Sequence, residues 1–325
     1  MGPEISIVKR DGRKEPLDLD KLHKVVFFAC EGLTGVSASQ VEISSHISFQ
    51  GGMTSEDIQE TMIKAAADLI SEDTPNYQLV AGRLITYHLR KQVYGQFEVP
   101  HLKTVVDANI ANKMYDPLLT EWYSDEEFDQ LEKWIDHKRD ENYTYAAMEQ
   151  FRGKYLVQDR FTKKVFETPQ IALMLIGATL FHKYPQETRM QWVKDFYDSV
   201  SKFEISLPTP VMAGVRTSIR QFSSCVLIES GDSLDSINAT SAAIVKYVSK
   251  RAGIGVGGGN IRAVGSSING GHATHTGVIP FYKHFQSAVR SCSQGGVRGG
   301  AATLYYPIWH YEVEDLLVLK NKKGT

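Results

Sequence analysis

The sequence predicts a mixed α/β protein in which a mainly helical N-terminal region is followed by alternating strands and helices. Apolar residues recur every three or four positions through most of residues 1–215, which is the period of amphipathic helices. From about residue 216, short apolar runs such as Val226-Leu227-Ile228 alternate with helical patterns. This order of strand, helix and strand is typical of parallel units in an α/β sheet or barrel.

Length and composition fit a globular protein with two or more domains. The chain has 325 residues, of which 42% are apolar and 23% are charged. Its formal net charge of -2 creates no basic field, so nucleic-acid binding is not expected. No apolar run reaches membrane-spanning length, and the first residues lack a signal-peptide core. The cysteines Cys30, Cys225 and Cys292 are too scattered for a disulfide scaffold, which favours the reducing cytoplasm.

Residues 1–95 are predicted to form a small helical domain that opens with a β-hairpin. The segment Ile5–Arg10 alternates like a strand, and Asp11-Gly12 supplies the turn. A helix after Pro75 runs to about Tyr94. The predicted caps of the earlier helices are Asp18 or Asp20, then Ser37, then Thr54 with Asp57.

Charged residues cluster on this hairpin and at the start of the first helix. Lys9 lies on the first strand, Glu15 on the return strand, and Lys21 near the helix start. Lysines in such positions suit phosphate groups, and a carboxylate can hold a ribose or a metal. A solvated charged hairpin explains the same residues, and on spacing alone it is favoured, because such charges are common on protein surfaces.

Residues 96–215 are predicted to be a mostly helical scaffold. Asp125-Glu126-Glu127 opens one helix, and Pro169 is well placed as the first residue of an apolar, buried helix. Lys154–Val157 and Lys164–Phe166 are expected to pair as a hairpin. The segment Leu207–Pro210 is expected to be a rigid extended connector without helix potential, because it contains two prolines.

The stretch Gln221–Asp235 combines a thiol with a helix start. Cys225 opens a short strand, although on pattern alone a buried, inert cysteine is the better explanation. Asp232 and Ser233 stand at the head of a long helix, where backbone N–H groups suit an anion.

The run Ala252–Gly259 contains a GxGxG pattern, which is a feature of dinucleotide-binding proteins. That fingerprint needs a strand before it and a helix after it, whereas here a helix precedes and a loop is expected to follow. An NAD-dependent oxidoreductase is therefore disfavoured. The glycines are expected to let the backbone pass close to a ligand or to a neighbouring segment.

The opening VKRDG…E…DK, with the helices behind it, resembles the ATP-cone, the overall-activity domain of ribonucleotide reductases. The resemblance favours the nucleotide interpretation of the charged hairpin. Gln59 stands where relatives carry a histidine; a neutral amide can still hydrogen-bond a nucleotide, but the departure weakens the expectation of inhibition by dATP. ATP and dATP contacts are implied at Lys9, Glu15, Lys21, Ser55 and Lys91.

The blocks QFSSCVLI, DSLDSINA, KRAGIGV and CSQGGVRGGAAT closely resemble the large, catalytic subunit of aerobic class I ribonucleotide reductases. The resemblance runs through the whole chain, but the matching enzymes are much longer. It implies an ATP-cone in residues 1–95, a mainly helical domain in 96–215 and the first part of a ten-stranded α/β barrel in 216–325. The chain would then be the N-terminal part of a subunit that reduces ribonucleoside diphosphates for DNA synthesis, and it would need a C-terminal remainder.

The family's reaction replaces the ribose 2′-hydroxyl with hydrogen by radical chemistry and takes two electrons from a pair of thiols. Cys225 matches one member of that pair. The second redox thiol, the radical-bearing cysteine, the relay tyrosines and the shuttle cysteines would all lie downstream of Thr325. Substrate contacts are implied at Thr209, Ser224, Cys225 and Gly253.

A specificity site for a deoxynucleoside triphosphate is also implied by the resemblance. Arg262 can bind phosphate through its planar fork, whereas Asn269 stands where relatives carry an arginine. The loop after Cys292 would carry the identity of the effector to the substrate base through Gln294 and Arg298. The residues implied at the specificity site are Asp232, Ser233, Leu234 and Arg262.

The resemblance implies no covalently bound cofactor and no metal site in this chain. It implies ATP, dATP and other deoxynucleoside triphosphates as effectors, with Mg²⁺, and a diiron-tyrosyl radical in a partner small (beta) subunit. Other implied partners are the C-terminal remainder, a second large subunit in a homodimer, and thioredoxin or glutaredoxin. A hypothesis of another class is a catalytically inert, nucleotide-binding regulatory protein that modulates an intact reductase.

Overall fold

The computed structural model describes residues 5–294 and 298–320. The chain forms two compact units. The first takes in the chain through Leu207 together with Met212–Ile219, and the second takes in Pro208–Val211 and the chain from Arg220 onward. Helices dominate the first unit and a parallel sheet organises the second, which confirms the mixed α/β class. No helix in the described ranges combines the length and the apolarity that crossing a bilayer requires.

The first unit opens with an antiparallel hairpin and a group of helices. Strand β1 (Ser6–Val8) pairs with β2 (Lys14–Pro16), with Ile7 opposite Glu15. Gly12 takes the left-handed conformation that the turn requires, with φ of 85°. The helices are α1 (Leu19–Cys30), α2 (Ala38–His46), α3 (Ser55–Asp68) and α4 (Tyr77–Tyr94).

Side-chain caps fix where the first three of these helices begin. Asp18 accepts a hydrogen bond from the backbone N–H of Lys21 at 3.0 Å, and Ser37 caps α2 in the same way. Thr54 and Asp57 form a reciprocal capping box at the start of α3. Each cap contributes roughly 1 kcal/mol. These local signals explain why the helix starts could be read from the sequence.

Further helices complete the body of the first unit. A 3-10 helix covers His137–Asn142, and a π-helical turn covers Phe151–Tyr155 directly after α8. Packing is close where α4 meets this body, because a methyl group placed on Gly82 would lie 2.1 Å from the backbone oxygen of Tyr143. The α-helices are α5 (Leu102–Ala111), α6 (Leu119–Trp122), α7 (Asp125–Trp134), α8 (Tyr145–Gln150), α9 (Pro169–Phe181) and α10 (Gln186–Ser201).

A fully buried ion pair joins distant segments of this body. The side chains of Glu167 and Arg216 are both 0% exposed. Glu167 accepts hydrogen bonds from the guanidinium Nε at 2.7 Å, from the backbone N–H of Val157 at 2.6 Å and from the Tyr115 hydroxyl. Because the charges and lone pairs are satisfied together, loss of one partner leaves the other buried without compensation.

The hairpin expected from Lys154–Val157 and Lys164–Phe166 is wrong in its first strand. The π-helical turn extends to Tyr155, so the segment is coiled where a strand was expected. An isolated antiparallel bridge joins Gln158 to Val165 instead. The local alternation of apolar residues does not predict that α8 continues into a π-helical turn.

The extended connector expected at Leu207–Pro210 is also wrong at its end, because helix α11 spans Thr209–Gly214. Pro210 lies in the first turn of this helix. The N–H groups of a first turn have no partner within the helix, so proline is tolerated there. Pro208 and Pro210 therefore lie at the start of a helix and do not prevent it.

The second unit contains a three-stranded parallel sheet in the order β3-β4-β9, which confirms the parallel strand-helix-strand prediction. The short strands pair separately, β5 with β6 and β7 with β8, both antiparallel. In chain order the elements are β3 (Cys225–Glu229), α12 (Leu234–Ser249), β4 (Gly253–Gly257), β5 (Ser267–Ile268), β6 (Ala273–Thr274), α13 (Val278–Arg290), β7 (Ser293–Gln294), β8 (Arg298–Gly299), β9 (Ala302–Tyr305) and α14 (Val313–Val318).

The glycine run of this unit is the middle strand of the sheet and not a loop. Ile254 and Val256 of β4 pack into the apolar core with Ile244, Val248 and Phe285 from α12 and α13. Alternate residues of a strand face opposite sides. The glycines of β4 therefore lie together on the other face of the sheet.

Candidate functional site

A cavity of about 390 Å³ lies between the hairpin and helices α1, α3 and α4. One part of its lining is apolar, with Ile7, Leu22 and Ile58, and the other part is charged. An amphipathic cavity of this kind suits a ligand with a flat apolar ring and an anionic group. The structure places in its lining Lys9, Glu15, Lys21, Ser55 and Lys91, the residues predicted for ATP and dATP.

Two of the cavity lysines are already paired with carboxylates. Lys9 Nζ lies 2.8 Å from Glu15 Oε1, and Lys21 Nζ lies 3.2 Å from Asp18 Oδ2. The hydrogen bond from Lys9 holds the pKa of Glu15 below its usual value. The hairpin is therefore an ionised, preorganised edge of the cavity.

Lys91 differs from the other two lysines. Its ammonium lies 5.1 Å from the centre of the Tyr87 ring, and among the described residues no carboxylate pairs with it. The guanidinium of Arg10 donates to the backbone carbonyl of Lys91 and so joins the hairpin to α4. Lys91 is thus the cavity cation most available to a phosphate group.

Helix α3 contributes an unsatisfied acceptor to this cavity. Ser55 and Gln59 lie one helical turn apart and both line the cavity. The Gln59 Oε1 atom is buried and has no hydrogen-bond partner among the described residues. A buried orphan acceptor is costly, so a ligand or water that donates to it would be favoured.

Sequence reasoning missed Arg10 and Tyr87 as parts of the cavity. Tyr87 precedes Lys91 by four positions, a spacing that puts both side chains on one helix face, so periodicity could have found it. Arg10 follows Lys9 on the hairpin, and its cross-cavity hydrogen bond has no signal in the local sequence.

In the second unit, Cys225 begins strand β3 and its side chain is exposed. Gly253 lies opposite Cys225 in the parallel register, and its N–H donates to the Ser224 carbonyl at 2.8 Å. A methyl group placed on Gly253 would lie 3.8 Å from the thiol sulfur. The structure thus brings together Ser224, Cys225 and Gly253 of the predicted substrate contacts, while Thr209 lies at the start of α11.

The open face of the sheet forms a second cavity of about 810 Å³. Its lining includes Leu227, Glu229, Gly255, Gly257 and Tyr305. The exposed fractions of Leu227 and Tyr305 are 77% and 55%, which is unusual for large side chains on a sheet face. This apolar face presents surface suited to contact with further polypeptide.

The predicted effector residues lie around the start of α12. Ser233 caps the helix by accepting from the Ser236 N–H at 3.2 Å, and Leu234 is exposed. Burial raises the pKa of Asp232, but hydrogen bonds from the backbone and guanidinium of Arg262 outweigh this effect and lower it. The Arg262 Nε to Asp232 Oδ2 distance is 2.5 Å, so these two predicted residues are in direct contact.

The hairpin β5-β6 is held by the same arginine. Arg262 Nη1 donates to the Ser267 carbonyl at 2.9 Å. Asn269 lies at the tip of this hairpin with a positive φ of 49°. For Gln294 and Arg298, the backbones pair in β7 and β8, but their side chains lie outside what the structure describes.

These features define a multidomain α/β protein in which a small helical domain with a cation-rich cavity precedes a helical body and a parallel sheet. Family models match the chain as an ATP cone domain over residues 5–92, a ribonucleotide reductase all-alpha domain over 141–220 and a ribonucleotide reductase barrel domain over 223–325. The chain belongs to the ribonucleotide reductase family, and the part of its barrel domain that the structure describes holds an open sheet of three parallel strands.

Several curated relatives match this chain along its whole length. The ribonucleoside-diphosphate reductase 1 subunit alpha of Escherichia coli (strain K12) is 61% identical over 325 residues, which is 100% of this chain and 43% of the relative. The corresponding subunit alpha of Haemophilus influenzae is 60% identical over the same shares. That of Enterobacteria phage T4 is 52% identical over 99% of this chain and 42% of the relative. The chain therefore spans less than half the length of these relatives.

Proposed function

We propose that this chain supplies the N-terminal part of a ribonucleoside-diphosphate reductase large subunit and acts together with the rest of that subunit. The observation that carries the proposal is the presence, in one chain, of a nucleotide-sized cationic cavity and an exposed thiol on the open face of a parallel sheet. The relatives that match the chain are named as ribonucleoside-diphosphate reductase subunits.

The cavity of the first unit is proposed to bind ATP or dATP with Mg²⁺. Lys91, Lys9 and Lys21 would receive the phosphates, because charged donors bind phosphate oxygens strongly. Glu15 and Ser55 would contact the sugar or the metal ion. The apolar part of the lining would hold the adenine ring.

Cys225 is proposed to supply one thiol of the reducing pair. Removal of the 2′-hydroxyl as water takes two electrons, which two thiols provide when they form a disulfide. The second thiol, the radical-bearing cysteine and the groups that relay the radical would come from the rest of the large subunit. The backbone at Ser224 and the absence of a side chain at Gly253 would let the substrate sugar approach the sulfur.

A deoxynucleoside triphosphate is proposed to bind at the start of α12 and set substrate preference. Asp232 would accept from the sugar and Arg262 would hold phosphate, with Ser233 and Leu234 beside them. Gln294 and Arg298 are proposed to pass the effector's identity to the substrate.

The proposed protein partners follow from the same assignment. They are the remainder of the large subunit, a small subunit carrying a diiron-tyrosyl radical, a second large subunit, and thioredoxin or glutaredoxin to reduce the disulfide. The exposed sheet face of the second unit, with Leu227 and Tyr305, supports contact with a complementing polypeptide.

A reconstituted reduction assay tests the proposal. The chain is mixed with a polypeptide that supplies the remaining part of the subunit and with a radical-generating small subunit, and conversion of a ribonucleoside diphosphate is measured. We expect Cys225→Ser to abolish turnover, while the matched variant Cys30→Ser, at a half-buried cysteine on α1, retains it. Unchanged multiple turnover by Cys225→Ser would remove the thiol from its proposed role.

A second candidate is an inert regulatory protein, because the nucleotide cavity is formed by residues of the first unit alone. Retained ATP binding together with no activity in any reconstituted mixture would favour this alternative.

A further inference from the structure

Helix α3 has two faces with different contacts. On α3, Ser55 and Gln59 line the nucleotide cavity, while Glu56 and Glu60 follow each of them by one position. Consecutive helix residues are rotated by about 100°. The two glutamates therefore lie on an adjacent face. Glu56 accepts a hydrogen bond from Gln92 of α4 at 3.2 Å, whereas Glu60 contacts a residue outside the cone.

Glu60 meets a residue of the all-alpha region there. The guanidinium of Arg152 donates to both Glu60 oxygens, with Nη1 to Oε1 at 2.5 Å and Nη2 to Oε2 at 3.1 Å. Arg152 Nη2 also donates to Glu149 Oε1 at 2.5 Å. A two-pronged contact of this kind fixes both distance and direction, which a lysine could not do.

Arg152 is the cation that satisfies Glu60. The only other basic group described beside Glu60 is His88, whose Nε2 lies 3.5 Å from Glu60 Oε1 and whose side chain is 3% exposed. Burial lowers the pKa of His88 against the opposing pull of Glu60, and the neighbouring charges of Arg10 and Arg152 lower it as well. Without Arg152, the Glu60 carboxylate would lose its two-pronged partner and would lie near the like charge of Glu149.

Arg152 also belongs to the π-helical turn Phe151–Tyr155. Such turns are rare and often occur at functional sites. The backbone of this turn is stabilised by a hydrogen bond from the Gln158 side chain to the Arg152 carbonyl at 2.9 Å. The Arg152 side chain adds the link from this turn to α3.

We infer that Arg152, which lies outside the cone, is a positioning residue for the nucleotide cavity. By holding Glu60, it sets the orientation in which α3 presents Ser55 and Gln59, and it couples occupancy of the cavity to the π-helical turn. The inference rests on the proposed binding of ATP in that cavity. Coupling is reciprocal, so ATP must alter the turn by the same free energy with which the turn alters ATP affinity.

Hydrogen-exchange mass spectrometry on the full chain, with and without ATP and Mg²⁺, tests the coupling. In the wild type, ATP is expected to slow exchange both in the hairpin peptide 9–22 and in the peptide 149–156. In Arg152→Gln, ATP is expected to protect the hairpin peptide but no longer the π-helical turn. The dissociation constant for ATP is expected to rise about three- to tenfold, which lies within the roughly 2- to 30-fold effect of residues that modulate coupling without touching the ligand.

Matched variants separate coupling from general loss of stability. Arg189→Gln removes a comparable two-pronged pair with Glu127, 2.6 Å apart, in the same unit. It is expected to leave both protections in place and to change ATP affinity by less than about twofold, as for independent sites. Glu60→Gln is expected to reproduce the Arg152→Gln result from the other side of the contact.

Failure of the coupling and failure of the proposed nucleotide site give different exchange results. Protection of the hairpin without protection of peptide 149–156 in the wild type would overturn the coupling and leave the proposed nucleotide site intact. Equal protection of that peptide in Arg152→Gln would overturn it as well. ATP that protects neither region would refute the proposed nucleotide site and the coupling with it.

Discussion

Replacement of Lys91 by glutamine is expected to weaken ATP binding more than the same replacement at Lys21. The Lys91 ammonium rests over the Tyr87 ring, and no carboxylate among the described residues neutralises it. Loss of a hydrogen bond to a charged partner costs about 1.5–3 kcal/mol. The dissociation constant of Lys91→Gln should therefore rise by about 10- to 150-fold.

Lys21 provides the comparison, because its charge is already engaged. Its side chain is 70% exposed and its Nζ lies 3.2 Å from Asp18 Oδ2. A phosphate contact from this lysine must compete with that pair and with water, so its loss should cost less than about 1 kcal/mol. The dissociation constant of Lys21→Gln should rise by about fivefold or less.

Isothermal titration of ATP and Mg²⁺ into each protein, at one fixed ionic strength, measures the difference. Salt must be held constant because surface charges are screened within about 8–10 Å at physiological ionic strength. Far-ultraviolet circular dichroism establishes that each variant is folded. Equal losses at Lys91 and Lys21, or an unchanged constant for Lys91→Gln, would refute the assignment of Lys91 as the principal phosphate contact.

Three further predictions concern stability. Glu167→Gln leaves Arg216 buried without its counter-charge and should lower the free energy of unfolding in urea by about 3–5 kcal/mol. Gly82→Ala places a methyl group 2.1 Å from a backbone oxygen and should lower the thermal midpoint clearly, while Gly153→Ala, which meets nothing within 4 Å, should not. Burial lowers the pKa of His137 in the folded protein to about 4, whereas its value in the unfolded chain is 6.5. Between pH 6.5 and pH 4 the imidazole is therefore protonated in the unfolded chain and neutral in the folded one. Stability should fall through that window as pH drops, by about 3 kcal/mol at most, and His137→Asn should remove this part of the loss in urea titrations at pH 7 and pH 4.5.

The parts of the fold that the sequence predicted well depend on local chemistry. Helix α3 begins where Thr54 and Asp57 form their capping box, and α9 begins at Pro169, because a cap or a first-turn proline acts within a few residues. The π-helical turn at Phe151–Tyr155 could not be predicted in this way. Its side-chain links reach Glu60, which lies 92 positions away from Arg152 in the chain.

The cavity residues show the same division. Lys9 and Glu15 form a diagonal ion pair across the hairpin, because Glu15 lies opposite Ile7, two positions before Lys9, and the turn at Gly12 made this proximity predictable. The grouping of these residues with Lys91 came from the resemblance to the ATP-cone and not from spacing. The lack of a hydrogen-bond partner for Gln59 Oε1 depends on the packing around α3, which the local sequence does not predict.

The glycines of β4 explain how a thiol on a sheet can stay open to a ligand. A strand with side chains on this face would collide with its neighbours, since a methyl group on Gly255 would lie 2.5 Å from Leu227 Cδ2, and one on Gly257 would lie 1.9 Å from Glu229 Oε2. Without those side chains, Leu227 and Glu229 can lie over the backbone of the middle strand, and Cys225 at the end of the same row has only backbone beside it. The close approach of the glycine backbone to a neighbouring segment, expected from the sequence beside the alternative of a ligand, is thus made within a strand. In the strand, the alternation that buries Ile254 on one face is the same alternation that keeps the face of Cys225 free of side chains from β4.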